Sequence, residues 1–196
     1  MFSSPFSDIE LKKGLEGENI KIWVCSFGGY GSNMLLDHFE NNGFIVRGEN
    51  YKERGIHFSH PVEINGAKAI YLYGNVFEAI VSQHFRKILA FNLKKASNYS
   101  NAFEYEDDFS NLTLEPFISQ FQRWTKINFI SNMPILHLHY EEIWSKWPIV
   151  QSYFGIDFPA PSKLPRTEYD IRETQKKNLL KHIAPLILAI QDFERC

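Results

Sequence analysis

Three glycines stand close together between an apolar segment and a segment with helical periodicity. Residues 26 to 33 read Ser-Phe-Gly-Gly-Tyr-Gly-Ser-Asn. Glycine lets the backbone turn tightly, so successive N–H groups can point at one anion, and the positive end of the following helix adds to the attraction. The pattern predicts a loop that cradles phosphate or sulfate groups, with a glycine-rich turn that binds no ligand as the alternative. The residues predicted to bind are Gly28, Gly29, Tyr30, Gly31, Ser32 and Asn33.

The same loop differs from the phosphate loop of nucleotide hydrolases. That motif, G-x-x-x-x-G-K-[ST], has a lysine directly before its hydroxyl residue, whereas Gly31 precedes Ser32 here. The missing lysine disfavours a hydrolase that acts on a magnesium nucleotide.

A second polar cluster follows the next apolar segment. Asn75 comes directly after Gly74, and Ser82 and Arg86 lie four residues apart, which makes them neighbours on one face of a helix. A hydroxyl beside a guanidinium is a suitable contact for a phosphate group. We therefore predict that Asn75, Ser82 and Arg86 take part in anion binding; the alternative is a solvated helix face.

A third candidate is His60, which stands within a Ser-His-Pro triplet between the first two clusters. A histidine titrates near neutral pH and can act as a general base. His57, His137 and His139 compete for that role, and a purely structural role is the alternative. His137 and His139 alternate along one apolar segment without a third ligand at metal-binding spacing, so no metal site is expected.

Short apolar segments alternate with helical ones along the chain. The strands are predicted at residues 20–27, 44–46, 69–73 and 134–140, and the helices at 32–42, 76–93, 114–129 and from 141 to about 153. Such alternation predicts an α/β fold with a mostly parallel central sheet flanked by helices. Ligands bind beyond the carboxyl ends of the strands in such sheets, so the predicted clusters are expected at one edge.

The length of 196 residues fits one domain. Within it we predict an N-terminal extension at 1–18, a mobile loop at 94–111, rich in Asn, Ser and acidic residues, and a C-terminal helix at 166–196.

The net charge of −2 argues against nucleic-acid binding by bulk charge. No apolar stretch approaches the ~20 residues of a membrane span, and the N-terminus lacks the features of a signal peptide. Cys25 and Cys196 lack metal-ligand spacing and suit a reducing compartment. We therefore expect a cytoplasmic protein with neither a nucleic-acid nor a membrane partner.

The order of these pieces resembles the sulfotransferases that use 3′-phosphoadenosine 5′-phosphosulfate. The resemblance begins with the strand, the Gly-Ser loop and the Ser-His pair. It continues through Ile-Tyr-Leu-x-x-Asn-x-x-Glu-x-x-Val-Ser, which ends at Ser82, through Leu-His-Tyr-Glu-Glu-Ile at 138–143, and through Phe-Gly-Ile at 154–156. It covers residues 20 to 156 and implies a three-layer, P-loop-like domain.

The resemblance also implies an activity, which is transfer of a sulfuryl group to a hydroxyl of a small molecule or sugar without a metal. The donor's 5′-phosphosulfate would fall to residues 29–33, and its 3′-phosphate to Ser82, with Arg86 beside it. His60 would take the proton of the acceptor.

Three positions depart from the family pattern. Gly29, Phe58 and Gly74 stand where the family has basic residues. The first alternative is accordingly a catalytically decayed relative that serves as a nucleotide-binding or protein-interaction module. A small-molecule kinase-like P-loop protein is the second alternative.

Overall fold

A computed structural model describes residues 21–46, 59–61, 66–97, 103–130, 132–163, 165 and 167–195. The predicted extension at 1–18, Phe58 and Cys196 lie outside the described residues. In chain order the elements are β1 (Ile22–Cys25), α1 (Ser32–Asn41), β2 (Lys68–Tyr73), α2 (Val76–Phe85), α3 (Leu89–Ala96), α4 (Glu115–Thr125), β3 (Phe129–Ile130), β4 (Met133–His139), a 3₁₀ turn (Tyr140–Glu142), α5 (Trp147–Phe154) and α6 (Glu173–Glu194).

The sheet has the strand order β1-β2-β4-β3. β1 pairs with β2 and β2 with β4 in parallel, while the short β3 pairs with β4 in the antiparallel direction at the edge. In the register, Ile70 of β2 lies between Val24 of β1 and Leu136 of β4. The predicted α/β class with a mostly parallel sheet is therefore confirmed.

Side chains of β2 contact helices on both faces of the sheet, because successive residues of a strand point to opposite faces. Tyr71 is buried and stacks on Trp124 of α4, with ring centroids 5.3 Å apart. Lys68, three residues earlier, lies over the ring of Tyr153 in α5. The apolar character of β2 thus follows from helices that cover it.

Several predicted elements differ from the structure. The helix predicted from 141 starts only at Trp147, after the 3₁₀ turn, and the C-terminal helix predicted from 166 starts at Glu173. The helix predicted at 76–93 is two helices, because Lys87 has a φ of 59° and ends the first helical segment. No side chain in the predicted segment marks this left-handed residue. The strand predicted at 44–46 is not one: Lys21 N–H donates to Ile45 O at 2.9 Å, but no ladder forms there.

The loop predicted at 94–111 begins as the last turn of α3, which ends at Ala96. Farther along, Phe109 is buried and the Asp107 carbonyl accepts a hydrogen bond from Gln175 of α6 at 2.7 Å. Asp108 O likewise accepts from Asn178. These hydrogen bonds tie residues 107 and 108 to the first half of α6.

We expect the protein to lose stability as the pH falls below about 6.5. Burial lowers the pKa of His84 and of His137, whose Nε2 donates to Trp124 O. The unfolded chain therefore binds protons at these sites before the folded chain does, so acidification favours unfolding. Urea denaturation between pH 7.5 and 5.5 measures the loss, and the His84→Gln/His137→Gln variant should lose less. An equal loss in both proteins would contradict the assignment.

None of the helices in the described ranges combines the length and apolar character that a membrane span requires.

Candidate functional site

The glycine loop connects β1 to α1 with a backbone that only glycine adopts readily. Gly28, Gly29 and Gly31 have φ values of 101°, 80° and 71°. A Cβ is disfavoured in this left-handed region. Gly31 also caps α1 without a side-chain hydrogen bond, and the first turn of α1 carries no acidic residue. The positive end of α1 is thus directed into the loop without a nearby carboxylate of its own helix.

One side of the loop packs closely against other elements. A Cβ added to Gly29 would lie 2.9 Å from Cα, Cβ and O of Ala79 in α2, and one added to Gly31 would lie 2.6 Å from the ring of Tyr140. A basic side chain at position 29 therefore has no room for its Cβ unless α2 moves. Ala79 and Tyr140 occupy the space on this side of the loop. The backbone of the loop is therefore available to a ligand only from the opposite side.

Two buried side-chain amides support the loop through hydrogen bonds. Gln83 Nε2 donates to Gly28 O at 3.3 Å, and Asn92 Nδ2 donates to Gln83 Oε1 at 2.8 Å. Gly28 N–H donates to Ser26 Oγ at 3.0 Å. Gln83 and Asn92 were missed by the sequence analysis; the available signal was two amides within otherwise apolar helical stretches.

Tyr30 turns its side chain into the core. The ring is fully buried and its hydroxyl donates to Gly74 O at 3.2 Å. Only the backbone of Tyr30 can therefore serve a ligand. Its side chain instead joins the glycine loop to the turn after β2.

A cavity of about 280 Å³ lies against the loop and joins the first two predicted clusters. Its lining contains Gly28, Gly29, Gly31, Ser32, Asn33, Ser82 and Arg86, together with Ile88, Phe91, Asn92 and Lys95. We call it the loop cavity. Asn75 does not line it; its side chain accepts a hydrogen bond from Glu78 N–H at 3.2 Å and caps α2.

Lys95 is the cation that the sequence analysis missed. It lies on α3 with 7% exposure, and its Nζ is 4.6 Å from the ring centroid of Phe91. Lys94 and Lys95 are adjacent, and nothing in the sequence distinguishes the one that faces the loop. With Arg86, Lys95 gives the loop cavity two cations, and no carboxylate is among its lining residues in the described chain. The site is therefore suited to an anion.

His60 lies elsewhere. Its Nδ1 is 3.0 Å from Ser59 Oγ, and the Ser59 carbonyl accepts a hydrogen bond from Arg123 Nε at 2.7 Å. His60 lines neither the loop cavity nor the two cavities described next. The structure thus brings Ser82 and Arg86 to the loop but does not bring His60 there.

Two larger cavities lie beside the loop cavity. The middle cavity, of about 670 Å³, shares Gly29 and Ser82 with it. The end cavity, of about 840 Å³, shares Glu78 and Tyr140 with the middle cavity and extends to His139. Because they share lining residues, the three cavities lie side by side beyond the carboxyl ends of β1, β2 and β4, and we call this row of cavities the groove.

Within the described ranges, no group of three or more His, Cys, Asp or Glu side chains could hold a metal ion. Comparisons of the chain with protein-family models, curated proteins and solved structures find no match.

Proposed function

We propose that the loop cavity binds the phosphate groups of an anionic nucleotide. The observation that carries the proposal is the convergence of Arg86 and Lys95 on a glycine loop at the positive end of α1. Backbone N–H groups and two cations form an environment that favours phosphate or sulfate over a neutral group. At about 280 Å³ the cavity lies just below the ~300–1,000 Å³ that is usual for ligand sites, so the rest of the nucleotide extends into the middle cavity.

We further propose that the nucleotide is 3′-phosphoadenosine 5′-phosphosulfate and that the protein is a sulfotransferase-like member of the three-layer P-loop architecture. The contacts of β2 with a helix on each face of the sheet support the layered arrangement. The resemblance of residues 20 to 156 supports the choice of donor. In this proposal Arg86 and Lys95, which come from the end of α2 and from α3, replace the family's cations at positions 29 and 74.

A nucleotide-binding module without transfer activity is the second candidate. The position of His60 outside the groove favours it, because a general base must reach the proton that it removes. Both candidate functions require nucleotide binding in the loop cavity. They differ in that only the sulfotransferase transfers the sulfuryl group to an acceptor.

Replacement of Lys95 by methionine should weaken adenosine 3′,5′-bisphosphate binding about tenfold or more, since a charge-assisted contact is worth ~1.5–3 kcal/mol. Lys94→Met is the matched control, because it removes the same charge from the neighbouring residue, which does not line the cavity. Isothermal titration calorimetry at low salt measures both. Equal affinities of the two variants would remove Lys95 from the site. Absence of binding by the unaltered protein would refute the proposed function.

A further inference from the structure

The face of α6 that points to solvent carries a continuous stripe of exposed residues. Positions three or four apart lie on the same face of a helix. The exposed residues that follow this spacing, which we call the α6 stripe, are Glu173, Lys177, Leu180, Ala184, Leu188, Gln191 and Arg195. The centre of the stripe is apolar, since Leu180 is 48% exposed and Leu188 58%. The other face of α6 is covered by α2 and α4, and there Leu179, Ile183 and Leu186 are fully buried.

The exposed charges of α6 change sign along the helix. Three cations lie on its first half and two carboxylates on its last turn; they are Lys176, Lys177, Lys181, Asp192 and Glu194. Within the helix the last turn holds no basic residue. Carboxylates there face the negative end of the helix dipole, which disfavours them. The stability of an isolated α6 therefore does not account for this distribution of charge.

The two carboxylates also have partners in their own chain. Asp192 Oδ1 lies 3.5 Å from Arg195 Nη1, and Glu194 Oε1 lies 3.9 Å from His139 Nε2. The side chains of Asp192 and Arg195 are largely exposed, and an ion pair of that kind contributes little to stability. A carboxylate has room for several donors, so both groups can in addition meet a cation of another molecule.

Antiparallel pairing with a second copy of α6 matches both the apolar centre and the change of charge. With Ala184 of one copy against Ala184 of the other, a turn of 100° and a rise of about 1.5 Å per residue put Leu180 in one layer with Leu188 of the second copy. The small side chain of Ala184 permits close approach at this point. The same register brings Lys177 near Asp192 of the second copy and Lys176 near Glu194. A parallel pair would instead place like charges together.

We propose that the α6 stripe binds a second copy of this chain in an antiparallel, twofold-symmetric helix pair. The net charge of −2 opposes self-association only weakly. The apolar contact consists of two leucines and one alanine from each chain, so the dimer is a weak one. Gln191 belongs to the stripe and also lines the end cavity, so the second copy lies beside that cavity. Dimerisation does not depend on nucleotide binding.

Sedimentation equilibrium of the full chain at low salt, from about 1 µM to 1 mM, measures the association. We expect the average mass to rise with concentration toward that of a dimer. Added salt should reduce the rise, because exposed ion pairs are screened. A chain that stays monomeric at about 1 mM would overturn the proposal and leave the stripe to a different partner.

Leu188→Lys tests the apolar centre of the stripe. It should weaken dimerisation at least about tenfold, because a charge replaces an apolar contact in both copies. Ile149→Lys is the matched control, since Ile149 is also half-exposed, at 52%, but lies on α5. It should leave the dissociation constant unchanged. Equal losses in the two variants, or association that Leu188→Lys does not weaken, would assign self-association to another surface and overturn the proposal.

Two charge reversals test the antiparallel register. Lys177→Glu and Asp192→Lys each place like charges opposite one another, so each variant alone should dimerise at least about threefold more weakly than the unaltered chain. An equimolar mixture of the two variants restores opposite charges at both contacts and should associate more strongly than either variant alone. A mixture that associates no more strongly than the separate variants would overturn the antiparallel pairing.

Discussion

Replacing Gly29 with alanine is expected to lower the free energy of unfolding by about 2–4 kcal/mol. Two costs add. The residue has a φ of 80°, where a side chain is strained, and its new Cβ would lie 2.9 Å from the Ala79 backbone. Because helix backbone cannot yield as a flexible side chain does, α2 or the loop must move. Adenosine bisphosphate affinity should fall with it, since Gly29 lines the loop cavity.

Gly43→Ala is the matched control for this prediction. Gly43 also has a positive φ, of 85°, but nothing lies within 4 Å of its added Cβ. The Gly43→Ala substitution should lower the free energy of unfolding only by the conformational strain, about 1 kcal/mol, and leave nucleotide binding intact. Urea denaturation and calorimetry measure both variants. Equal destabilisation by the two substitutions would show that the contact with Ala79 contributes nothing.

The second large effect is expected from Gln83→Leu. Leucine is similar in size to glutamine, but it removes the donor to Gly28 O and the acceptor of Asn92 Nδ2. Each buried group left without its partner costs ~1–3 kcal/mol, so we expect a loss of about 2–4 kcal/mol from the free energy of unfolding. The glycine loop should also lose its support, and bisphosphate affinity should fall at least about threefold.

A double-mutant cycle with Asn92→Leu tests the network. The double variant no longer buries an unpaired amide at position 92, so its destabilisation should be at least about 1 kcal/mol smaller than the sum of the two single losses. Strict additivity would indicate that the two amides act independently. A normal bisphosphate affinity in Gln83→Leu would separate the network from the binding site.

Local patterns predicted most of the elements that surround the site. Apolar runs marked β1, β2 and β4, and helical periodicity marked α1, because burial of one face imposes a regular spacing on the sequence. The three glycines marked the loop, since its backbone conformation excludes side chains. Ser82 and Arg86 were recognised by their i, i+4 spacing, and the alternation of elements implied the edge of the sheet to which they belong.

Tertiary structure decided what surrounds the loop. Lys95 and Lys94 are equivalent in a linear sequence, and only the packing of α3 puts Lys95 rather than Lys94 against the cavity. Likewise, Gln83 and Gly28 are 55 residues apart, so no local signal can pair them. The break at Lys87, which separates α2 from α3, is a backbone conformation that its side chain does not announce.

The α/β class and the glycine loop could be predicted from local patterns, because both depend on properties of neighbouring residues: alternating burial and the freedom of glycine. The cations that meet the loop, the position of His60 away from the groove and the place of His139 in the wall of the end cavity follow from the folded chain instead. These features depend on the packing of distant segments, and a side chain's chemical type does not specify the direction in which its element presents it.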